Sequence, residues 1–264
     1  MIEKPAAEQA AEPSGGGEGR WHAFNRKFVV EERYMSAKAR AGLYRTAVVL
    51  AVLGALVFFL ALAGVLQAGG VTAWDEPART WLLGFRSEPL TTVMIFLAVV
   101  FGPVGLPIIV LVVTVAWGIA GKHAWRPFVL AAAMLTGVGL AQLIGHSVGR
   151  GRPPLDLMLF GQDSTFSFPS GHVLGASDFL FVTAFLVFSR LEHPRAAVVG
   201  FIGAGTGVVL AALSRLYLGY HWLSDAFASV SLSLVVLGAV IALDTWRTAR
   251  IRGEKITGEL SAAE

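Results

Sequence analysis

Three short polar segments interrupt a chain that is otherwise strongly apolar. They are GRGRPP at residues 149–154, FPSGH at residues 168–172 and SRLYLGYHWLSD at residues 214–225. Arginine, histidine and aspartate are costly to place in apolar surroundings unless they are paired or used. Together the segments supply cations, proton donors and a nucleophile, which are the groups that phosphate chemistry requires.

Four of these residues suit the binding of a phosphate. Arg152 and Arg215 can hold phosphate oxygens through paired, planar hydrogen bonds. Ser170 and Gly171 fall where an apolar helix is expected to begin, and the free backbone N–H groups at a helix start attract anions. We predict that these four residues bind phosphate.

Three further residues have the chemistry of a reaction centre. His221 and Asp225 are spaced i,i+4, so on a helix they share a face, and the carboxylate could fix the imidazole tautomer that leaves one nitrogen free to attack. His172 would lie beside the bound group and could donate a proton to a leaving oxygen. A metal site built from the same three residues is disfavoured, because the nearby arginines would repel a cation.

The composition places these segments in a membrane. The 264 residues are 55% hydrophobic and 15% charged, whereas soluble domains average about 45–50% and about 25%. The chain has no cysteine, which excludes disulfides, thiolate metal sites and cysteine nucleophiles. The sequence pI near 9.4 is basic, but the charges follow membrane loops, so no nucleic-acid partner is expected.

Six apolar segments are long enough to cross a bilayer, which takes roughly 20 residues as a helix. They lie at residues 46–67, within 90–120, and at 127–147, 172–189, 196–213 and 223–243. Gly102-Pro103 predicts a kink in the second segment. The sequence predicts an all-α integral membrane bundle of six helices at residues 46–243. A disordered and basic tail at residues 1–45 and a basic tail at residues 244–264 flank it.

The placement of lysine and arginine predicts the orientation of this bundle. If both termini are cytoplasmic, only five of the 21 basic residues fall on the outer side of the plasma membrane, as the positive-inside rule favours. Those five are Arg79, Arg86, Arg150, Arg152 and Arg215. All three polar segments then meet at the outer face.

The three polar segments resemble the signature motifs of the type 2 phosphatidic acid phosphatase family, membrane lipid phosphatases related to vanadium haloperoxidases. The motifs cover residues 145–225, and S-R-x5-H-x3-D is specific. The resemblance implies an enzyme without metal or cofactor. It implies that His221 forms a phosphohistidine, that Asp225 orients it, and that His172 acts first as acid and then as base. The implied phosphate ligands are Arg152, Ser170, Gly171 and Arg215.

One position departs from the family pattern. The first motif normally begins with lysine seven residues before the arginine of RP, and that position here is Gly145. Two residues could replace the lost cation: Arg150, or His146, which lies about 100° further around a helix. Without such a replacement, a weaker or differently selective enzyme is expected.

Several functions remain open at this point. A lipid phosphatase could act on undecaprenyl pyrophosphate, phosphatidic acid or phosphatidylglycerol phosphate, and the residues do not choose among them. The same phosphohistidine would also permit transfer to a lipid or sugar acceptor. A catalytically silent transporter or binding protein for a phosphorylated molecule would use the arginines but would not need the histidines.

Overall fold

The computed structural model describes residues 24, 26–189, 194–256 and 261–263. The disorder predicted for residues 5–19 lies outside this range. The helices are α1 (Ala37–Gln67), α2 (Asp75–Leu83), α3 (Glu88–Val100), α4 (Gly105–Ala120), α5 (Trp125–Val148), α6 (Gly171–Phe188), α7 (Pro194–Tyr217) and α8 (Leu223–Thr248). Two short 3-10 turns lie at Gly70–Trp74 and Leu155–Leu157.

Five helices, namely α1 and α5 to α8, are long and apolar enough to cross a membrane, and α3 with α4 makes a sixth span if counted together. The pair is bent by 50° at residues 101–104. Pro103 explains this break, because proline lacks an N–H and restricts the residue before it. The predicted kink and the predicted helical membrane bundle are both confirmed.

The N-terminal boundary differs from the prediction. Helix α1 begins at Ala37 instead of residue 46, and Ser36 caps it by accepting a hydrogen bond of 3.1 Å from the backbone N–H of Ala39. The intervening residues, AKARAGLYR, are mostly good helix formers, so the helix continues beyond its apolar stretch. Part of the segment predicted as a disordered tail is therefore the first turns of a spanning helix.

A small sheet was also not predicted from the sequence. Strand β1 (Val30–Tyr34) pairs in parallel with β2 (Ala249–Arg250) and with β3 (Ser261–Ala263), in the order β2-β1-β3. The buried carboxylate of Glu32 lies 2.7 Å from Arg250 and 3.2 Å from Arg247. These pairings link the segment before α1 to the segment after α8, at the end of the bundle opposite the polar loops.

Helix α8 is central to the bundle and packs along α1. A Cβ atom added at Gly54 of α1 would lie 2.4 Å from the carbonyl oxygen of Ser231, and one at Gly238 of α8 would lie 2.6 Å from that of Ala47. Both glycines are needed for this close approach, as is usual between membrane helices. The resulting core holds the start of α8 firmly in place.

The helix ends that flank the three polar segments meet at the opposite end of the bundle from the small sheet. Helices α5 and α7 end there, and α6 and α8 begin there. The segments at residues 149–170 and 218–222 therefore converge. Helix α7 extends past the predicted end at residue 213 to Tyr217, so Arg215 lies on its last turn and not in a loop.

Candidate active site

His221 lies in the connection between α7 and α8, and only 5% of its surface is exposed. Its Nδ1 lies 2.8 Å from the carbonyl oxygen of Ser167, and its Nε2 lies 3.0 Å from Nη1 of Arg152. A carbonyl oxygen can only accept a hydrogen bond, and a guanidinium can only donate one. Both contacts therefore place the ring hydrogen on Nδ1 and leave a lone pair on Nε2.

Asp225 is fully buried at the start of α8. Its Oδ2 accepts a hydrogen bond of 2.9 Å from the backbone N–H of Trp222 and lies 3.4 Å from Nδ1 of His221. The Ser167 carbonyl is thus the nearer acceptor for the imidazole. Residue types cannot predict this contact, because its acceptor is a backbone oxygen.

The Arg152 guanidinium is already engaged by groups of the protein, through four hydrogen bonds and one ion pair. The guanidinium contacts the Thr165 carbonyl (3.1 Å) and hydroxyl (2.9 Å), the Tyr220 carbonyl (2.8 Å), Nε2 of His221 (3.0 Å) and the Asp163 carboxylate (2.9 Å). Burial lowers the pKa of Arg152, and the charge of Asp163 opposes that effect. Asp163 therefore lies beside a predicted phosphate ligand. Reasoning from the sequence did not identify this carboxylate.

Arg215 has a different environment. Only 4% of it is exposed, and its guanidinium lies over the ring of Tyr220, 4.0 Å from the centroid. Among the described residues, its Nε has no hydrogen-bond partner. Arg215 lines a cavity of about 450 Å³ together with His172 and Asp163. A buried guanidinium with an unused donor attracts an anion strongly.

The start of α6 forms another wall of this site. Ser170 is buried and caps the helix, with its Oγ 3.4 Å from the backbone N of Val173. A Cβ added at Gly171 would meet no atom within 4 Å, so the space in front of this backbone is open. His172 follows on the first turn, and a Cβ at Gly102 would lie 3.3 Å from its Nε2. The break between α3 and α4 therefore leaves room for the His172 ring.

The two residues considered as replacements for the lost lysine lie elsewhere. His146 is exposed, and its Nδ1 lies 2.8 Å from the carbonyl oxygen of Gln142 on its own helix. Arg150 forms ion pairs of 2.5 Å with Asp225 and 2.7 Å with Asp75. Neither is among the described residues that line the cavity. Of the other predicted residues, His172 and Arg215 line the cavity, whereas Arg152 and Asp225 contact His221 behind it.

The PAP2 superfamily profile matches residues 126–249, which include all three polar segments and the last four spanning helices. The match covers a little under half of the chain, and over these residues the protein is similar to the PAP2 superfamily. One relative is phosphatidylglycerophosphatase B of Bacillus subtilis (strain 168), with 27% identity over 192 residues, 71% of this chain and 92% of the relative.

A solved structure extends this likeness to the fold. The crystal structure of the first transmembrane PAP2 type phosphatidylglycerolphosphate phosphatase from Bacillus subtilis aligns with a TM-score of 0.65 and 24% identity. The alignment covers 73% of this chain and 96% of that chain. This protein is therefore a multi-pass membrane protein with the transmembrane helical fold of that structure.

The burial of His221 gives a testable pH dependence. Burial lowers the pKa of His221 from 6.5 to about 4, although Asp225 raises it, and the charge of Arg152 contributes to the lowering. Because the pKa is depressed, the ring stays neutral until the pH falls to about 4. We expect the 15N NMR signals of this imidazole to keep the Nδ1–H form from about pH 7 to about pH 5. Signals that vanish in His221→Gln assign the resonance, and a midpoint near 6.5 would contradict the prediction.

Proposed function

We propose that this protein is a membrane lipid phosphate phosphatase that acts without a metal, through a phosphohistidine on His221. One observation carries the proposal. The unprotonated Nε2 of a buried imidazole lies 3.0 Å from the guanidinium of Arg152. A phosphate held by that guanidinium would present its phosphorus to the lone pair on Nε2.

Substrate binding requires an exchange of hydrogen bonds. Arg215 lines the cavity and its buried Nε is an unused donor, but Arg152 must give up partners before it can hold a phosphate. Phosphate oxygens would replace the Asp163 carboxylate and Nε2 of His221 on the Arg152 guanidinium. This exchange frees the Nε2 lone pair when the phosphate arrives. The open backbone at Gly171 and the hydroxyl of Ser170 complete the anion site.

The proposed reaction has two steps. First, Nε2 of His221 attacks phosphorus, the ester P–O bond breaks, and His172 gives its proton to the departing alkoxide, which leaves as the lipid alcohol. Second, a water oxygen attacks phosphorus, His172 takes the proton from that water, and the P–N bond breaks. Inorganic phosphate leaves, the lone pair of His221 is restored, and one water is consumed for each ester.

The walls of the cavity favour an amphiphilic substrate. Val99, Val104 and Phe160 line it beside the α3–α4 break, and they are 49%, 70% and 51% exposed. Apolar side chains next to buried cations suit a phosphate head with hydrocarbon tails. We propose phosphatidylglycerol phosphate as the leading substrate, supported by the name of the Bacillus subtilis relative, with phosphatidic acid and undecaprenyl pyrophosphate as the alternatives.

The orientation in the membrane is part of the same proposal. The few basic residues outside the cytoplasmic loops lie at the active-site end of the bundle, so the positive-inside rule puts that end at the outer face of the plasma membrane. Both termini are then cytoplasmic. The substrate would enter from the outer leaflet with its tails still in the bilayer.

Phosphate release from the purified protein in detergent tests this function. Wild-type protein is expected to release inorganic phosphate from phosphatidylglycerol phosphate, and EDTA is expected to leave the rate unchanged, because arginine side chains hold the anion. Phosphatidic acid and undecaprenyl pyrophosphate serve as the comparison substrates. Absence of release from all three lipids would overturn the proposal and favour a binding protein or a phosphotransferase, and loss of release with EDTA would overturn the metal-free mechanism.

A further inference from the structure

Asp75 is a buried carboxylate that none of the three motifs contains. It is the first residue of α2, only 3% of it is exposed, and it lies outside the residues that the superfamily profile matches. Its Oδ1 accepts a hydrogen bond of 2.8 Å from the backbone N–H of Ser224, and its Oδ2 accepts one of 2.8 Å from the Ser224 hydroxyl. The side chain therefore bonds directly to the first turn of α8.

The same Oδ2 of Asp75 also accepts a hydrogen bond of 2.7 Å from Nη2 of Arg150. On the other side, Nη1 of Arg150 donates to Oδ1 of Asp225 at 2.5 Å and to the Ser224 hydroxyl at 2.8 Å. One guanidinium thus bridges two carboxylates whose side chains are 4% and 0% exposed. In so dry a site, the planar fork of arginine fixes the relative position of both partners.

The bridge determines which way the Asp225 carboxylate faces. With Oδ1 held by Arg150, Oδ2 is directed towards the backbone of Trp222 and towards Nδ1 of His221, 3.4 Å away. Asp75 in turn keeps Arg150 on this side of the histidine, away from the cavity. A continuous series of side-chain contacts therefore runs from α2 to the proposed nucleophile, through Asp75, Arg150, Asp225 and His221.

We propose that Asp75 is a positioning residue for the phosphoryl transfer, acting through Arg150 and Asp225 on the orientation of His221. This inference rests on the proposed function. It also gives Arg150, a cation within the first motif, a role when residue 145 is glycine: Arg150 orients His221 through Asp225 and does not bind the substrate.

The test is the substitution Asp75→Asn, with Glu76→Gln as its matched control. Asparagine keeps an oxygen for the Ser224 backbone but loses the charge that holds Arg150. We expect kcat to fall by about tenfold to a hundredfold, because a small displacement of a reacting group has effects of that order, while KM changes by less than about twofold. In the part of the chain that the structure describes, the contact of Glu76 is a surface ion pair with Arg79, so its variant should match wild type.

The 15N signals of His221 separate positioning from a merely structural role. In Asp75→Asn they should shift, while the melting temperature in detergent shows whether the protein is folded. A folded variant with wild-type kcat and unshifted His221 signals would overturn the inference. If Asp75→Asn does not fold, Arg150→Lys is the second variant, because lysine can reach only one of the two carboxylates. It should show the same loss of kcat and the same shift of the His221 signals. Wild-type kcat and unshifted signals in Arg150→Lys would also overturn the inference. Inactive wild-type protein would instead refute the proposed function. The NMR comparison would still show whether Asp75 affects the orientation of His221.

Discussion

Replacement of His221 with glutamine is expected to abolish phosphate release, with a fall in kcat of at least about 10⁴-fold. Glutamine is similar in size and keeps polar atoms near Ser167 and Arg152, but its amide nitrogen has no lone pair available to attack phosphorus. Losses of about this size follow removal of a nucleophile in other two-step hydrolases. His221→Ala should be equally inactive, and phosphate release under saturating substrate measures both.

A histidine at the opposite end of the bundle provides the control. His123 lies between α4 and α5, and the whole of α5 separates it from the first polar segment, so His123→Gln should keep the wild-type rate. If His221→Gln retains more than a few per cent of the activity of this control, His221 is not the nucleophile.

Replacement of His172 with asparagine should produce the second large effect. On a lipid phosphomonoester, kcat is expected to fall by about 10²-fold to 10⁴-fold, because the alkoxide would have to leave without a proton. With p-nitrophenyl phosphate the leaving group needs no proton, so attack by His221 should be less impaired. Hydrolysis of the phosphohistidine still lacks its base, so phosphoenzyme should accumulate.

The kinetic signature of this variant is a burst. One equivalent of p-nitrophenol should appear rapidly, followed by slow turnover, and rapid-quench absorbance measurements can resolve the two phases. Equal losses on the lipid and on p-nitrophenyl phosphate, with no burst, would show that His172 does not protonate the leaving group.

Much of the fold could be predicted because membrane helices obey simple rules. Apolar length located the spans, and proline chemistry located the break between α3 and α4. The sheet around Glu32 was missed because β2 and β3 have only two and three residues and lie at the opposite end of the chain from β1. The early start of α1 was missed because charged residues can continue a helix beyond the apolar region that marks a span.

The site could be predicted only as far as residue type reveals chemistry. His221, Asp225 and Arg215 stand out because charged residues near apolar spans require a reason. Asp75 and Asp163 gave no such signal, because both lie in ordinary polar loops or helix starts and their partners are far away in sequence. Arg150 was predicted as a possible phosphate ligand, and only the contacts with Asp75 and Asp225 show that its donors are already used.

The most direct test of the central claim is to trap the covalent intermediate. Wild-type protein in detergent should be mixed with substrate, quenched with alkali within milliseconds to seconds, and digested for mass spectrometry under conditions that preserve phosphohistidine. A phosphoryl group on the peptide that contains His221, absent from His221→Ala, is the predicted result. Turnover without any phosphorylated peptide, or with the phosphoryl group on another residue, would contradict the mechanism.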